Sequence, residues 1–374
     1  MKIVQLTPYA MDRPGGVQSH VRDLSAWLRD QGHDVRIVAP PGNPDHREES
    51  LMTVGTARPF AIHGTAFEVS RASRAQRAKA VVALKNWGAD VVHMHTPWTP
   101  LLPWQMWRAL KLPAIATFHA TLPESESFDP MSWALRRVGH YFNRRISRVV
   151  VPSDAPYEQW KAENARPLPL ILPPAIDLSS WRAAAEATPS SDSFRITYMG
   201  RLEARKGVAV LLEAWRSLQN KLPDAELIIA GSGEEEDTLR AYAKQHALTN
   251  IQFQPPPNNA DARALIASSD IFAAPALHGE SFGLVLIEAM AAGALPVAAN
   301  NDGFRTVMTG RGADLLVPPG DAQALAEKIH QLATDTAHRT DLSNWANTHA
   351  RSFDVATVGQ EYLTLFEEAL LKHH

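Results

Sequence analysis

Two glutamates stand eight residues apart in the segment Glu280-Ser281-Phe282-Gly283-Leu284-Val285-Leu286-Ile287-Glu288. The turn-forming Ser-Phe-Gly and the apolar run after it predict a helix that starts near Ser281 or Phe282. Glu280 would then lie in the loop before the helix, and Glu288 about two turns in. The free N–H groups and the dipole of a helix N-terminus favour an anion. This arrangement suits a ligand with hydroxyls at both ends and phosphate in the middle, and a nucleotide-sugar is a ligand of that kind.

A second segment, Gly200 to Gly207, supplies cations for such a phosphate. Arg201 and Lys206 follow a predicted strand and precede a predicted helix. An Arg that binds two oxygens and a Lys that acts as a point charge form a common phosphate clamp, although exposed surface charge is the alternative. The sequence contains no Asp-x-Asp. We therefore expect no Mg²⁺ or Mn²⁺ held by such a pair, and we expect the protein's own cations to neutralise the diphosphate.

Two glycine-containing turns differ in what they predict. Gly15 and Gly16 lie between the first predicted strand and the first predicted helix, where a backbone without side chains can approach a phosphate closely. A simple turn is the alternative. Gly231-Ser232-Gly233 resembles the start of a dinucleotide fingerprint, but Glu236 occupies the position of the third glycine. The neighbouring acids would repel a pyrophosphate, so this segment predicts a turn and no NAD site.

Three histidines lie on or after predicted strands. His119 follows the strand predicted at 114–118, where it either lines a ligand site or is buried for structural reasons. His93 and His95 alternate along another strand; a structural role is expected for His93, and the role of His95 is open. The chain shows no His/Glu spacing typical of a zinc site, so no metal is predicted.

Strand-like runs alternate with helical runs along most of the chain. Buried strands of this kind predict two doubly wound, Rossmann-like α/β domains with parallel sheets, and their strand ends would meet at a cleft. The predicted strands are 2–6, 34–39, 91–95, 114–118, 148–151, 195–200, 226–231, 250–253, 271–275 and 295–298. We predict a first domain at 1–170, a second at 171–354, and a C-terminal helix at 355–374 that packs back on the first domain.

The composition is that of a water-soluble globular chain, with 45% hydrophobic and 21% charged residues and a net charge of −3. The absence of cysteine excludes disulfides and thiolate metal sites. No signal peptide or membrane span is expected, which favours a cytoplasmic location.

The charge is unevenly distributed, because residues 1–150 carry 19 Lys and Arg against 12 Asp and Glu. One segment without an acid holds Arg71, Arg74, Arg77, Lys79 and Lys85. It predicts either a solvated helix face or a surface that contacts an anionic membrane. Nucleic acid is not an expected partner.

Four features occur in a fixed order over nearly the whole chain: Gly15-Gly16, His119, Arg201 with Lys206, and Glu280 with Glu288. Together they resemble the retaining GT-B glycosyltransferases of family 4. The segments 8–21 and 279–283 are most similar to those of the phosphatidylinositol mannosyltransferases.

This resemblance implies a role for each matching residue. Catalytic roles would fall to His119, Arg201, Lys206 and Glu280. The donor would be bound by Gly15, Gly16, Arg201, Lys206, Glu280, Ser281, Phe282, Gly283 and Glu288. In this assignment Glu280 holds hydroxyls of the donor sugar, and Glu288 binds the ribose. Tyr9, Asp12 and Gln18 would face the acceptor, and the basic segment from Arg71 to Lys85 would contact membrane.

The implied reaction transfers a sugar with retention of configuration and without a metal or other cofactor. Mannose from GDP-mannose is the favoured donor sugar, and a lipid-linked or glycan acceptor at the inner membrane face is the favoured partner. Two alternatives remain at this point: a family 4 enzyme with a UDP-sugar donor and a soluble or polysaccharide acceptor, and a nucleotide-sugar-binding protein without transferase activity.

Overall fold

The computed structural model divides the chain into two compact units, Met1–Asp177 with Phe353–His374, and Leu178–Ser352. The structure describes residues 1–13, 15–43, 48, 50–62, 65–96, 101–119, 137, 141–142, 144–154, 156–157, 168–189, 191, 193–280 and 282–372, with the backbone alone at 59–62 and 65–68.

The first unit contains a parallel sheet of seven strands in the order β3-β2-β1-β6-β7-β8-β9. These strands are β1 (Lys2–Leu6), β2 (Asp34–Ala39), β3 (Leu51–Thr53), β6 (Val91–His95), β7 (Ala114–Thr117), β8 (Arg148–Val151) and β9 (Leu170–Ile171). A separate antiparallel hairpin is formed by β4 (Thr56–Ile62) and β5 (Thr65–Arg71). The central strands are buried on both faces, which explains their continuous apolar sequences.

Helices cover both faces of this sheet. Its helices are α1 (Gly16–Asp30), α2 (Arg74–Trp87), α3 (Leu101–Leu110) and, after the second unit, α12 (Val355–Leu371). Leu24 of α1 packs with Tyr362 and Phe366 of α12 in one core layer, and Met106 of α3 lies in the layer on the opposite face. The C-terminal helix therefore completes the core of the first unit, as predicted.

The second unit contains a parallel sheet of six strands in the order β12-β11-β10-β13-β14-β15. They are β10 (Arg195–Met199), β11 (Glu226–Ala230), β12 (Ile251–Gln254), β13 (Ile271–Ala274), β14 (Leu295–Ala299) and β15 (Leu316–Val317). Its helices are α4 (Ser179–Ala187), α5 (Val208–Leu218), α6 (Glu236–Gln245), α7 (Asn259–Ala267), α8 (Leu284–Ala291), α9 (Asp302–Val307), α10 (Ala322–Thr334) and α11 (Thr336–Ala350), and 3-10 helices lie at Ala204–Lys206, Gly310–Leu315 and Arg351–Phe353.

The predicted fold class, two doubly wound parallel α/β units, is confirmed, and the ten predicted strands agree with the structure to within one residue at each end. The structural boundary lies after Asp177 rather than after residue 170, because β9 pairs with β8 and extends the first sheet. Ile176 also forms a bridge to Asp354, and both of these residues belong to the first unit.

Candidate functional site

The second sheet brings the Arg201–Lys206 loop and the Glu280 loop to one place. Strand β10 pairs with β11 on one side and with β13 on the other, so the order of strands along the chain reverses at β10. In open α/β sheets, ligands bind outside the carboxyl ends of strands at such a switch point. The loop after β10 carries Arg201 and Lys206, and the loop after β13 carries Glu280.

The side chains of Lys206 and Glu280 form a close ion pair at this switch point. Lys206 Nζ donates to Glu280 Oε1 at 2.6 Å, and the Glu280 side chain is only 14% exposed. The same oxygen lies 3.4 Å from Nη1 of Arg205. Two cations therefore share one carboxylate oxygen.

Arg205 is a member of this site that the sequence did not single out. Its Nε donates to Glu203 Oε2 at 2.9 Å, and the other oxygen of Glu203 pairs with Arg201. The result is a continuous series of alternating charges, which runs Arg201, Glu203, Arg205, Glu280, Lys206. One feature of the sequence could have identified Arg205: it is a second cation directly before Lys206, in a segment that also carries an acid.

Backbone contacts fix the two loops against each other. The N–H of Leu277 donates to the carbonyl of Arg205 at 2.8 Å. Gly207 has a φ of 69° and lies so close to Pro275 that a Cβ would be 2.1 Å from the Pro275 oxygen. Only glycine fits there. Tyr198 also holds the first loop, because its hydroxyl donates to the carbonyl of Arg201 at 2.7 Å, and burial raises the pKa of Tyr198.

The helix that follows Glu280 and contains Glu288 starts later than predicted. Helix α8 begins at Leu284, and Gly283 precedes it with a φ of 103°, in the left-handed region that ends the preceding turn. Glu288 therefore lies a little more than one turn into the helix, and the prediction of two turns was wrong. Phe282 is buried, Glu288 is partly exposed, and Ser281 lies outside the described residues.

The first unit has its own switch point, at β1, which pairs with β2 and β6. The loop after β1 carries Tyr9, Asp12 and Gly15, and α1 begins at Gly16 without a side-chain cap. Asp12 Oδ2 accepts the N–H of Asn43 at 2.8 Å, whereas its Oδ1 is buried and has no partner among the described residues.

The other two predicted acceptor residues, Gln18 of α1 and Tyr9 of the loop, differ in exposure. Gln18 is buried and its Nε2 lies 3.4 Å from the carbonyl of Ala10, and Tyr9 is partly exposed. The geometry brings Tyr9, Asp12, Gly15 and Gly16 to one edge of the sheet and tests none of their predicted roles.

Four histidine rings lie together at the ends of β6 and β7 and on α1. His95 Nδ1 is 2.9 Å from His119 Nε2, and the rings of His20 and His119 meet edge to face with centroids 5.2 Å apart. His93 bonds through Nε2 to the hydroxyl of Thr117 at 2.7 Å. Of the four, only His119 is partly exposed. His93 thus has the expected structural position, and His95 is now placed directly behind His119.

Burial keeps these rings neutral near pH 7. Desolvation lowers the pKa of His20 to about 4, and it lowers the pKa of His93, His95 and His119 well below 6.5. The other rings of the cluster lower the pKa values of these three histidines further.

Three of these histidines have a spacing that could suggest a metal centre. One ring nitrogen of each of His20, His95 and His119 lies within 4.8 Å of the others. However, His20 Nδ1 accepts the N–H of Ala175 at 2.8 Å, so its proton lies on Nε2, which then has no lone pair for a metal. His95 uses both nitrogens in hydrogen bonds, the second to Gln5. The cluster fits a neutral hydrogen-bonded assembly better than a metal site.

The basic segment of the first unit forms the exposed side of α2. A capping box of Ser73 and Gln76 starts this helix. Only Ala80 and Leu84 of the helix are buried, and Val82, on the side opposite to them, is 57% exposed. Exposed basic residues of the same segment are Arg74, Lys79 and Lys85 on α2 and Arg71 at the end of β5, and Arg77 is partly exposed. Within the described parts of the chain, no helix is both long and apolar enough to span a membrane.

Two family models together match nearly the whole chain. The model described as "Glycosyltransferase Family 4" matches residues 14–180, and the model described as "Glycosyl transferases group 1" matches residues 180–349. The two matched regions meet close to the boundary between the two structural units.

Similar proteins support the same assignment. A phosphatidyl-myo-inositol mannosyltransferase of Mycolicibacterium smegmatis is 32% identical over 98% of this chain and 94% of its own length. That of Mycobacterium tuberculosis is 31% identical over 98% and 97%. The crystal structure of Anabaena HepE in complex with UDP and glucose has a TM-score of 0.74 at 22% identity and covers 98% of this chain and 99% of HepE. The chain therefore belongs to the family 4 glycosyltransferases, with the GT-B fold, and is similar over nearly its whole length to phosphatidyl-myo-inositol mannosyltransferases.

Proposed function

We propose that this glycosyltransferase transfers mannose from GDP-mannose to a phosphatidylinositol-type lipid, with retention of configuration and without a metal. The observation that carries the proposal is the 32% identity, over 98% of the chain, to a protein named for that reaction. The switch-point cluster of Arg201, Lys206 and Glu280 supports it, because these residues match the donor positions that the family resemblance implies.

In this proposal the donor is held by residues of the second unit. Arg201 and Lys206 neutralise the diphosphate, Glu280 accepts hydrogen bonds from hydroxyls of the sugar, and Glu288 binds the ribose. In this proposal Lys206 exchanges Glu280 for the phosphate, and its ammonium is bonded to Glu280 at 2.6 Å before the donor binds. Arg205 can keep Glu280 paired during this exchange, since it lies against the same oxygen. An unpaired carboxylate that is only 14% exposed would otherwise be costly.

The proposed chemistry depends on stabilising the leaving diphosphate. Preorganised cations and N–H donors aimed at a developing negative charge provide the largest contribution in many enzymes. The acceptor hydroxyl attacks on the face from which the diphosphate leaves, and its proton passes to a phosphate oxygen. The C–O bond to the acceptor forms as the bond to the diphosphate breaks. Glu280 and Glu288 then bind the donor and act neither as nucleophile nor as general base, unlike a glycosidase pair.

Residues of the first unit complete the proposal. Gly15 and Gly16 contact the diphosphate at the uncapped N-terminus of α1. His119 lies beside the transferred sugar, and Tyr9, Asp12 and Gln18 bind the acceptor.

We further propose that α2 contacts the anionic cytoplasmic face of a membrane. The helix carries exposed basic residues and the exposed Val82, so that it offers both charge and apolar surface. The protein would then bind its lipid acceptor at the surface of the membrane that contains this lipid.

Calorimetry with GDP, UDP, GDP-mannose and UDP-glucose, each with and without EDTA, tests the donor. The proposal predicts that GDP and GDP-mannose bind and that EDTA leaves their affinity unchanged. UDP-glucose is a pertinent competitor, because HepE of the same fold was crystallised with UDP and glucose. Preferential binding of UDP and UDP-glucose would replace this proposal with a UDP-sugar donor.

A further inference from the structure

A chain of two hydrogen bonds leads from the buried core of the first unit to His119. Gln5 Oε1 lies 2.7 Å from His95 Nε2, and His95 Nδ1 lies 2.9 Å from His119 Nε2. Gln5 and His95 are fully buried, whereas His119 is partly exposed. Neighbouring strands supply the three residues, because β6 pairs with β1 on one side and with β7 on the other. The chain therefore ends at the ring that can meet a ligand.

The position of each proton along this chain follows from the end of the Gln5 amide that faces His95. A neutral imidazole has one donor nitrogen and one acceptor nitrogen. In the structure the Gln5 oxygen faces His95, and Gln5 Nε2 has no hydrogen-bond partner among the described residues. In this orientation of the amide the oxygen accepts, so His95 Nε2 carries the proton and His95 Nδ1 accepts in turn. His119 must then donate from Nε2 and keep a lone pair on Nδ1. The reverse orientation of the amide would reverse both bonds and would put the proton of His119 on Nδ1.

Surrounding contacts restrict these rings to the neutral form and to fixed orientations. His20 Nδ1 accepts the N–H of Ala175, so the proton of the neutral His20 ring lies on Nε2, which has no hydrogen-bond partner among the described residues. Its ring packs edge to face against both His95 and His119. Burial disfavours a charged ring at each position, because desolvation lowers the pKa values of His95 and His119.

We propose that Gln5 and His95 are positioning residues that fix His119 as its Nε2–H tautomer, so that Nδ1 accepts a hydrogen bond from a hydroxyl of the bound substrate. Both N–H donors of this hydrogen-bond chain, on Nε2 of His119 and on Nε2 of His95, point toward Gln5. This direction increases the electron density on His119 Nδ1 and makes it a stronger acceptor. The substrate contact rests on the proposed function, whereas the tautomer does not.

Nitrogen-15 NMR of the full chain with labelled histidine measures the tautomer directly, and His119→Gln identifies the His119 resonances by their loss. Wild type should show a protonated Nε2 and an unprotonated Nδ1 for His119. Gln5→Met removes the amide at similar length and should move the proton of His119 to Nδ1 in a large fraction of molecules. Tyr362→Phe is the matched control. It removes a hydroxyl that is bonded to Thr117 in the same buried cluster, and it leaves the hydrogen bonds among Gln5, His95 and His119 in place. This control should leave the His119 signals as in wild type.

Kinetics adds a second readout, because loss of an orienting partner behind a functional ring lowers turnover by roughly tenfold or more. We expect Gln5→Met to lower kcat for mannosyl transfer by about tenfold relative to Tyr362→Phe. A His119 that is protonated on Nδ1 in wild type overturns the inference, and so does a tautomer that Gln5→Met leaves unchanged. Neither result depends on activity. Conversely, the predicted tautomer in a protein that does not use GDP-mannose would contradict the proposed function and leave the hydrogen-bond chain standing.

Discussion

Lys206 Nζ lies 2.6 Å from Glu280 Oε1, although the two residues are 74 positions apart in the sequence. The contact joins the residue proposed to neutralise the diphosphate with the residue proposed to hold the sugar. Both lie in loops that leave neighbouring strands, β10 and β13, at the switch point of the second sheet. In the proposed function Lys206 turns from Glu280 to the phosphate when the donor binds, so the pair would couple recognition of the phosphate to release of the carboxylate.

Separate substitutions of Lys206 and Glu280 should weaken contacts with different parts of the donor. Lys206→Ala should weaken both GDP and GDP-mannose, because it removes a phosphate cation. Glu280→Ala should leave GDP binding nearly unchanged and weaken GDP-mannose, because only the sugar contact is lost. Both should lower kcat by about 10² to 10³, the range for removing one preorganised stabilising group. Calorimetry and steady-state rates measure the two effects.

Lys221→Ala is the matched control, because Lys221 is an exposed lysine of the same unit and lies outside the site. Its binding and kcat should equal those of wild type. Equal weakening of GDP by Lys206→Ala and Glu280→Ala would argue against this division of roles.

Arg205 should matter for the sugar more than for the nucleotide. It contacts Glu280 and Glu203 and would keep Glu280 paired when Lys206 moves to the phosphate. Arg205→Gln should raise the Kd for GDP-mannose roughly tenfold, since a hydrogen bond to a charged group contributes about 1.5–3 kcal/mol, and should change the Kd for GDP little. Arg205→Lys keeps the positive charge but not the planar guanidinium that binds two acceptors at once, so it should restore only part of the affinity. An unchanged GDP-mannose affinity in Arg205→Gln would refute this role.

Acid should destabilise the protein before most carboxylates are protonated. His20 has a folded pKa of about 4 against 6.5 unfolded, so the unfolded chain binds more protons between these values and stability falls as pH drops through this window. His93, His95 and His119 act in the same direction. Burial raises the pKa of Asp23 to about 6. This group stabilises the folded state as the pH falls, so it opposes the loss of stability caused by the histidines.

Urea unfolding at pH 7 and pH 5 measures this dependence. His20 alone should contribute a loss of about 2 kcal/mol between the two values. His20→Gln should reduce the difference in unfolding free energy between pH 7 and pH 5. A pH dependence that is the same in His20→Gln as in wild type would show that His20 is not buried in neutral form.

The sequence predicted the fold well and the site incompletely, for physical reasons. Buried parallel strands such as Ile271–Ala274 and Leu295–Ala299 are apolar throughout, so the sequence pattern alone identifies them. The start of α8 was misplaced because Gly283 adopts a left-handed conformation, which the apolar pattern does not record. Arg205 and the chain from Gln5 to His119 were missed because they depend on which strands are neighbours in a sheet. That order is a property of topology and not of local spacing.

The basic face of α2 should bind anionic vesicles. Replacing Arg74, Lys79 and Lys85 with Ser should lower the partition coefficient about 100-fold at low salt, since each basic residue near anionic lipid contributes roughly 1 kcal/mol. Ser73 starts the helix independently of these residues, so α2 should remain folded.

The control replaces Arg216, Lys221 and Lys244 with Ser, three exposed basic residues of the second unit, and changes the net charge equally. It should bind vesicles as wild type does. If both triple variants lose binding to the same extent, general charge and not the α2 face is responsible.

The product of a single incubation tests the central claim most directly. Purified protein is mixed with GDP-mannose, or in parallel with UDP-glucose, and with vesicles that contain phosphatidylinositol, in the presence of EDTA. The lipid is then analysed by mass spectrometry before and after digestion with α-mannosidase. The account predicts a lipid that is heavier by one hexose, formed from GDP-mannose only and converted back by α-mannosidase. Transfer from UDP-glucose instead, or a mannosylated lipid that resists α-mannosidase, would contradict it.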